Sequence, residues 1–111
     1  MPTPRPGRPV RGSTTGRPLN ALLDLLGRRW TLRILWELRE GPCTFRHLQD
    51  RCGGPSPTVL NQRIRELRET ALVEIGTEGG YQLTELGKEL GEAFTPLKIW
   101  ADHWDQALRK D

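Results

Sequence analysis

One stretch of the sequence, Ser56 to Thr70, constrains the fold more than any other. Ser56 has the side chain of a helix N-cap, and Pro57 suits the first helical position, where no backbone N–H is needed. At about 100° per residue, several apolar positions fall on one stripe of the helix. The stretch therefore predicts an amphipathic helix with one buried face and one free face. The residues of the apolar stripe are Leu60, Ile64, Leu67 and Ala71.

The other face of this helix carries side chains that suit DNA. Arginine matches guanine, asparagine and glutamine match adenine, and threonine can contact a thymine methyl group or a phosphate. Polar residues are common on any surface helix, so the face alone does not establish DNA binding. The residues around the helix decide the interpretation. The polar positions are Thr58, Asn61, Gln62, Arg65 and Glu69.

Three short helices are predicted before this one. Asn20 caps the first, which runs to Gly27 and should be mostly covered because it is almost wholly apolar. The second runs from about Trp30 or Thr31 to Arg39, and Thr44 caps the third. Two short helices joined by a tight turn, the second with a polar outward face, form a helix-turn-helix.

The chain beyond Ala71 predicts a hairpin and then a long apolar stripe. The segments L-V-E-I and Y-Q-L flank G-T-E-G-G, which is typical of a hairpin and would form the wing of a winged helix. Thr84 caps a C-terminal helical region that Pro96 must kink or divide, because proline lacks the N–H donor. Its apolar stripe exceeds what a small core covers, so we interpret it as a dimer interface, with packing on the first helix as the alternative. The interface residues are Leu97, Trp100, Trp104 and Leu108.

Charge divides the chain into basic and acidic parts. The formal net charge of the 111 residues is +3 at pH 7. Residues 1–17 carry +4 and residues 28–68 carry +5, whereas residues 69–111 carry −5. The basic part, which contains the predicted helix-turn-helix, therefore suits a polyanionic partner.

Residues 1–17 are rich in proline, glycine and arginine and hold few aliphatic residues. Such a segment cannot bury enough apolar surface to fold alone, so we predict a disordered basic arm followed by one domain at 18–111. Gly7-Arg8-Pro9 and Gly16-Arg17-Pro18 resemble the core of an AT-hook, a minor-groove element, although a flexible basic tail is the simpler interpretation. In either case Arg8 and Arg17 would contact DNA and increase the salt dependence of binding.

The sequence predicts a cytoplasmic chain. No run of about 18 apolar residues is present to cross a membrane. The first 17 residues lack the apolar segment of a signal peptide. Two cysteines, Cys43 and Cys52, are too few for a disulfide framework, which fits a reducing compartment.

No catalytic, metal or cofactor site is predicted. Cys43, His47 and Cys52 have a C-x3-H-x4-C spacing, but a structural zinc site takes a fourth ligand and His103 is the only other soft candidate. A Cys–His nucleophilic pair would need an orienting Asn or Asp, which is not indicated. No glycine-rich phosphate loop follows a strand. We therefore predict that the protein is not an enzyme.

Four motifs, taken in order, resemble the HxlR-type winged helix-turn-helix regulators, bacterial transcription factors that act as homodimers. They cover about Pro18 to Trp104 and read L-D-L-L-G-R-R-W-T-L-R-I-L-W-E-L, G-P-C-T-F-R-H-L, S-P-T-V-L-N-Q-R-I-R-E-L-R-E-T-A-L-V-E and Y-Q-L-T-E-L-G-K-E-L. The resemblance implies that residues of the third motif lie at the major groove or its phosphate rim. These residues are Ser56, Thr58, Asn61, Gln62, Arg63 and Arg65.

The sequence departs from the family pattern in two places. Many members carry a sensing cysteine just before a proline ahead of the first helix, where this chain has Arg17, so the resemblance does not extend to that sensing mechanism. The wing is also shorter than usual and holds Glu78 instead of basic residues. We therefore hypothesise that the arginine-rich arm substitutes for the wing in contacting DNA.

Together these features predict a mainly α fold with a small β-hairpin wing, a winged helix-turn-helix with flanking N- and C-terminal dimerisation helices from about residue 84. The expected function is a sequence-specific transcriptional regulator, with repression favoured and activation left open, that binds double-stranded DNA as a homodimer on a roughly palindromic operator. Gln62 and Arg65 are expected to read bases, and Ser56, Arg63, Arg68 and the arm to hold phosphates. The alternatives are a winged-helix protein-interaction module and a cysteine-based redox-responsive regulator. The sequence leaves the identity of any small-molecule effector open.

Overall fold

The computed structural model describes residues 2–110, and within them the chain forms six helices and one two-stranded hairpin. This order of elements agrees with the predicted winged helix-turn-helix. Most of the predicted boundaries agree with the observed ones to within one or two residues. The elements are α1 (Pro18–Leu26), α2 (Thr31–Leu38), α3 (Phe45–Arg51), α4 (Pro57–Glu69), β1 (Val73–Ile75), β2 (Tyr81–Leu83), α5 (Glu85–Ala93) and α6 (Thr95–Arg109).

The hydrophobic core lies where α2, α3 and α4 meet the hairpin. Leu60, Ile64 and Leu67 of α4 are buried in it, as the apolar stripe predicts. Ile34 of α2 and Leu48 of α3 are completely buried beside them. The core is thus closed within one protomer on the side of the helix-turn-helix.

The prediction that Ala71 belongs to the apolar stripe of α4 is wrong. The helix ends at Glu69, and Ala71 is exposed with a left-handed φ of 63°. Its N–H donates to the Arg68 carbonyl, and the N–H of Leu72 donates to the Leu67 carbonyl. These bonds form a Schellman motif, which satisfies the last carbonyls and turns the chain into the hairpin.

The turn between α3 and α4 depends on two glycines. Gly53 and Gly54 have φ values of 91° and 84°, a left-handed conformation that costs glycine little and other residues much more. The side chain of Gln49 donates to the carbonyl of Pro55 at 2.9 Å across the turn. Ser56 then caps α4, as predicted, by accepting a hydrogen bond from the backbone N–H of Val59. These contacts fix the angle between the two helices.

The hairpin pairs β1 with β2 in the register Val73 to Leu83. The sequence did not reveal that Cys43 adds a short bridge to its other edge. The backbone of Cys43 exchanges hydrogen bonds of 2.9 and 2.7 Å with that of Tyr81. This bridge ties the hairpin to the loop before α3.

The first helix differs from its prediction in two respects. It begins at Pro18 rather than after an Asn20 cap, and the Asn20 amide instead donates to Ser13 and Thr15 in the arm. It was also expected to be mostly covered, yet Leu19 and Leu23 are exposed at 63% and 59%. The helix therefore presents an apolar face outside the core of the protomer.

The C-terminal region divides at Pro96, as predicted. Thr84 caps α5 through the N–H of Gly87, and α6 begins at Thr95 with the proline in its first turn. Gly87 is required where it lies, because a Cβ atom there would come within 2.3 Å of the Leu72 carbonyl oxygen. α5 can thus pack closely on the chain that leads into the hairpin.

Candidate nucleic-acid interface

The free face of α4 is the first part of the candidate interface. Thr58, Asn61, Arg65 and Arg68 are exposed on it, and Gln62 is half-buried at its border. Ser56 lies exposed at the N-terminal end, where free backbone N–H groups attract anions. The helix therefore offers donors and acceptors that reach outward from a face whose reverse side is fixed in the core.

Gln62 and Arg65 form a pair on this face. The Arg65 guanidinium donates a short hydrogen bond to the side-chain carbonyl of Gln62. The amide nitrogen of Gln62 donates in turn to the carboxylate of Glu66 at 3.0 Å. The two side chains predicted to read bases are therefore coupled to each other and to a third residue of the same helix.

Arg63 requires a correction, because it was predicted to lie at the DNA-facing rim. Two residues of helix place it about 160° around the axis from Arg65, on the side that faces the protein. Its side chain is only 20% exposed and its Nη1 atom lies 2.5 Å from a Glu66 carboxylate oxygen. We therefore assign Arg63 to the protein's internal ion pairs rather than to the phosphate contacts.

Glu66 is the centre of a buried charge cluster. Arg28, between α1 and α2, donates to one of its carboxylate oxygens at 2.5 Å and lies 3.6 Å from Asp24. Burial alone would raise the pKa of Glu66, but the hydrogen bonds from Gln62, Arg63 and Arg28 outweigh it, and the pKa lies below its ordinary value. Glu66 is thus a carboxylate anion that joins α4 to the start of α2.

The arm lies beside this cluster. The Thr3 hydroxyl donates to Glu69 at 2.5 Å, and Arg28 donates to the Pro2 carbonyl at 2.8 Å. A cleft of about 360 Å³ separates the arm from α4. Its lining brings arginines of the arm and of the helix to one place. The lining residues are Pro2, Thr3, Arg5, Arg8, Gln62, Arg65 and Glu69.

The two AT-hook-like tripeptides of the arm lie side by side. The Gly7 N–H donates to the Gly16 carbonyl at 2.7 Å, and a bridge between Val10 and Ser13 closes the turn between them. Arg8 and Arg17 are both exposed. The arm, expected from composition to be disordered, follows a folded-back path here and not the extended path of an AT-hook.

The wing carries negative charge. Glu74 on β1 binds the Gln82 side chain at 2.7 Å, and Glu78 is exposed in the loop. Two carboxylates at this position repel the phosphates of a minor groove. The electrostatics of the hairpin therefore differ from those of α4 and the arm.

The second candidate surface is apolar and lies on α6. Within residues 95–109, all of which the structure describes, no side chain is buried. Leu97, Trp100, Trp104 and Leu108 are 54–65% exposed, and the two tryptophan rings stack with their centroids 5.9 Å apart. An apolar stripe of this size is far from the water-facing pattern of an ordinary surface helix.

A groove of about 770 Å³ runs from this stripe to α2 and α5. Trp36 lies in it at 41% exposure, with the guanidinium of Arg39 and the amine of Lys98 over its ring at 3.7 and 4.3 Å. Leu97 lines the groove and also belongs to the stripe on α6. The two apolar regions are therefore continuous.

Cys43 and Cys52 are buried free thiols. Burial, and then the negative charge of Glu37, raise the pKa of Cys52. The Arg51 guanidinium lies 3.4 Å from the sulfur of Cys43. Among residues 2–110, no group of three or more His, Cys, Asp and Glu side chains is arranged to hold a metal ion.

Sequence reasoning missed Arg28 and Glu66 as parts of the interface. A signal for Glu66 was present, because Gln62 and Arg63 precede it by four and three residues, the spacing at which helical side chains meet. No sequence pattern predicted that Arg28 contacts Glu66, because the two residues lie 38 positions apart in the chain. That contact required the tertiary fold.

Comparison with known proteins identifies the family. The sequence profile of the HxlR-like helix-turn-helix family matches residues 25–109. The chain belongs to this family. It is 29% identical over 99 residues to the HTH-type transcriptional regulator YodB of Bacillus subtilis, covering 84% of this chain and 88% of YodB. It is 36% identical to an uncharacterized HTH-type regulator of Mycobacterium tuberculosis, covering 80% of this chain but only 60% of that protein's length.

Solved structures agree with the family and with the fold. Quinone-bound YodB covers 77% of this chain with a TM-score of 0.72 at 32% identity, over 96% of its own length. An HxlR-family factor from Thermoplasma volcanium covers 77% with a TM-score of 0.64 at 30% identity, over 82% of its length. A MarR-family regulator of Enterococcus faecalis covers 84% with a TM-score of 0.76 at 25% identity, over 90% of its length. The predicted winged helix-turn-helix is confirmed.

Membership of this family means that the HxlR-type chain is a transcriptional regulator with a helix-turn-helix DNA-binding domain, and not an enzyme. Its expected partner is DNA. Across residues 2–110, no helix has the length and apolar character needed to cross a membrane.

Proposed function

We propose that this HxlR-family regulator is a homodimeric repressor that reads a roughly palindromic operator with one α4 helix in each of two major-groove half-sites. The observation that carries the proposal is the outward face of α4, where Arg65 and Gln62 stand exposed or at the border while Leu60 and Ile64 fix the reverse face in the core. A helix held in this way can enter a major groove without losing its own packing.

We assign base reading to Gln62 and Arg65, with Thr58 and Asn61 beside them. An arginine and a glutamine side chain match the donor and acceptor patterns of guanine and adenine in the major groove. Ser56, at the start of α4, and Arg68, near its end, are placed at the two ends of the reading face and would hold phosphates. Arg63 is left out of the assignment because it is paired with Glu66.

The arm would add phosphate contacts that the wing cannot make. Arg8 and Arg17 are exposed, and Arg8 lines the cleft that separates the arm from Arg65. The wing carries Glu74 and Glu78 instead. This distribution of charge favours DNA contact by the arm, and such contacts depend on charge rather than on sequence.

Dimerisation would proceed through α6, with the exposed face of α1 contributing. Trp100, Trp104 and Leu108 lie on one side of α6, while Leu19 and Leu23 are exposed on α1. A second copy of the chain would cover both apolar faces by two-fold symmetry, as most soluble homodimers do. Two copies of α4 would then meet half-sites about 34 Å apart, one helical turn of DNA.

The first test is fluorescence anisotropy of the protein with duplexes from its own upstream intergenic region and with scrambled duplexes, at several salt concentrations. We expect tight binding to the native duplex alone, with two protomers per site and a steep salt dependence. Weak and equal binding to both duplexes would contradict sequence-specific recognition.

Repression is tested separately with a reporter gene under the same upstream region. Removal of the regulator should raise reporter expression, because a dimer bound in the promoter excludes the polymerase. A fall in expression after removal would identify an activator instead.

A second candidate function is a regulator that responds to oxidation of Cys43. Cys43 is a free thiol, and the Arg51 guanidinium lies 3.4 Å from its sulfur. A solved structure of diamide-treated YodB concerns a relative of this chain. Treatment with mild peroxide, followed by non-reducing electrophoresis and DNA-binding assays of Cys43→Ser and Cys52→Ser variants, tests this candidate. If wild type and Cys43→Ser keep the same affinity after peroxide, Cys43 is not a sensor.

A further inference from the structure

The buried carboxylate of Glu66 lies directly behind the reading face of α4. Its residue exposure is 1%, although it sits only one turn from Gln62 on the same helix. A charge removed from water in this way is unfavourable unless hydrogen bonds and opposite charges surround it. What surrounds Glu66 therefore has consequences for the helix that holds it.

Both oxygens of the Glu66 carboxylate accept hydrogen bonds. Arg28 and Gln62 donate to one oxygen at 2.5 and 3.0 Å, and Arg63 donates to the other at 2.5 Å. The low pKa of Glu66 follows from these donors. At neutral pH Glu66 is thus an anion that only accepts hydrogen bonds, and it faces Gln62 in that form.

A neighbour that only accepts hydrogen bonds decides which way the Gln62 amide points. The amide nitrogen has to face Glu66, so the amide carbonyl faces the other way, where it accepts from Arg65. Arg65 has only donors and favours the same orientation, but it is exposed, whereas Glu66 is buried and held by Arg28. The buried anion is therefore the fixed support for the orientation of the half-buried Gln62 amide and, through it, of the exposed Arg65.

We propose that Glu66 is a positioning residue that sets the sequence specificity of the reading face, with Arg28 as the counter-charge that holds it in place. The proposal rests on the proposed function, in which Gln62 and Arg65 read bases. Because Glu66 fixes the pair before DNA arrives, less side-chain freedom is lost on binding, and one pattern of donors and acceptors is presented to the groove. Glu66 itself touches no base.

The test uses Glu66→Gln in the full-length protein, because this change keeps the size of the side chain and removes its charge. Affinities are measured for a set of duplexes in which each half-site base pair is varied in turn. We expect discrimination to fall about tenfold at the one or two base pairs read by Gln62 and Arg65, while affinity for random DNA changes little. Circular dichroism and a thermal melt report whether the variant is folded.

Further variants complete the experiment. Glu89→Gln removes the same charge from an exposed position of α5, away from the face of α4, and should leave the order of base preference unchanged. In a Gln62→Ala background, Glu66→Gln should have no additional effect on base preference, which is the signature of action through Gln62. If Glu66→Gln does not fold, Glu66→Asp keeps the charge but withdraws it from Gln62, and the same loss of discrimination is expected.

The outcomes separate the inference from the function on which it rests. If the wild type discriminates between duplexes and the Glu66 variants do so equally well, or lose affinity equally for all duplexes, Glu66 has only a structural role and the inference is overturned. If the wild type itself does not discriminate, the proposed function fails first.

Discussion

α4 and α6 are the two longest helices of the described chain, with 13 and 15 residues, and both are amphipathic. They differ in where the apolar side lies. Leu60, Ile64 and Leu67 of α4 are at most 3% exposed, whereas the large apolar residues of α6 are at least half exposed. The apolar face of α4 is buried in the protein's own core, whereas the apolar face of α6 is exposed.

The difference indicates which kind of partner each helix takes. α4 has only a polar face left to offer, and the charges around it are basic, so its partner is a polyanion. α6 offers an apolar face with stacked tryptophans, and burying that face provides the driving force for association with another protein surface. In the proposed function, DNA therefore contacts the polar face of α4 and a second copy of the chain covers the apolar face of α6.

Trp104→Glu tests the role of α6 and should have the largest effect. A charge in the centre of the proposed interface, together with the loss of a tryptophan, should weaken dimerisation by at least about 100-fold. Analytical ultracentrifugation measures this directly, and operator affinity should fall with it. Ile99→Gln is the matched control, because Ile99 is exposed on the opposite side of α6. If Trp104→Glu remains dimeric, α6 is not the dimer interface. If Trp104→Glu is an unfolded monomer, α6 is needed for the fold and does not differ from α4 in this respect.

Ile64→Ala tests whether α4 is held by the protomer alone. Ile64 is 3% exposed in the core, so its truncation should lower the free energy of unfolding by about 2–5 kcal/mol. The measurement is denaturant unfolding in the monomeric Trp104→Glu background, which removes any contribution from dimerisation. Leu108→Ala in the same background should change stability by less than about 0.5 kcal/mol. Equal losses from both truncations would mean that α6 also packs within the protomer.

Arg65→Ala tests the polar face of α4. Loss of a base-reading arginine should cost about 1–3 kcal/mol of operator binding and relax the preference at one base pair. Titration of duplexes varied at single positions measures both effects. Arg109→Ala removes the same charge from α6, where Arg109 is paired with Asp105 at 3.1 Å, and should leave base preference intact. A uniform loss across all duplexes would move Arg65 from the base-reading set to the phosphate contacts.

Acid should lower the free energy of unfolding by protonating Glu66 on α4. Its pKa in the folded state lies below the ordinary value of 4.5, so the unfolded chain takes up the proton more readily. The stabilisation is therefore complete above the unfolded pKa and is lost as the pH falls through the folded pKa. Unfolding free energies measured from about pH 6 to pH 3 should decline, and Glu66→Gln should flatten this part of the profile. An identical decline in both proteins would assign the acid sensitivity to other carboxylates.

The contrast between α4 and α6 was largely readable from the sequence, because helical periodicity and caps are local. Ser56, Thr84 and Pro96 mark helix boundaries through their own chemistry, and each acts as expected. Ala71 was misplaced because a Schellman turn ends α4 two residues earlier, and alanine gives no sign of a left-handed position.

The parts that escaped prediction depend on contacts between distant segments. The spacing of Gln62, Arg63 and Glu66 indicated their contact, but the burial of Glu66 depends on Arg28, which is distant in the sequence. The composition of the arm did not predict an ordered path, because some contacts that hold the arm are made with Glu69 and Arg28, which lie outside it. For the same reason Arg63 was assigned to DNA when it faces the protein.

The smallest effect is expected from Arg8→Ala, which tests whether the arm contacts DNA together with the polar face of α4. Loss of one phosphate contact should weaken binding about two- to fivefold on specific and random duplexes alike, and reduce the slope of log affinity against log salt by about 0.9. Anisotropy titrations at four or more salt concentrations resolve the slope, with Arg109→Ala again controlling for net charge.

Because Arg8 lines the cleft beside Arg65, the two contacts should be additive only if DNA reaches both without displacing the arm. Unchanged affinity and slope in Arg8→Ala and in a deletion of residues 2–17 would confine DNA recognition to the helix-turn-helix. A gain in affinity on deletion would instead mean that the docked arm, held by Thr3 and Arg28, competes with DNA for the face of α4.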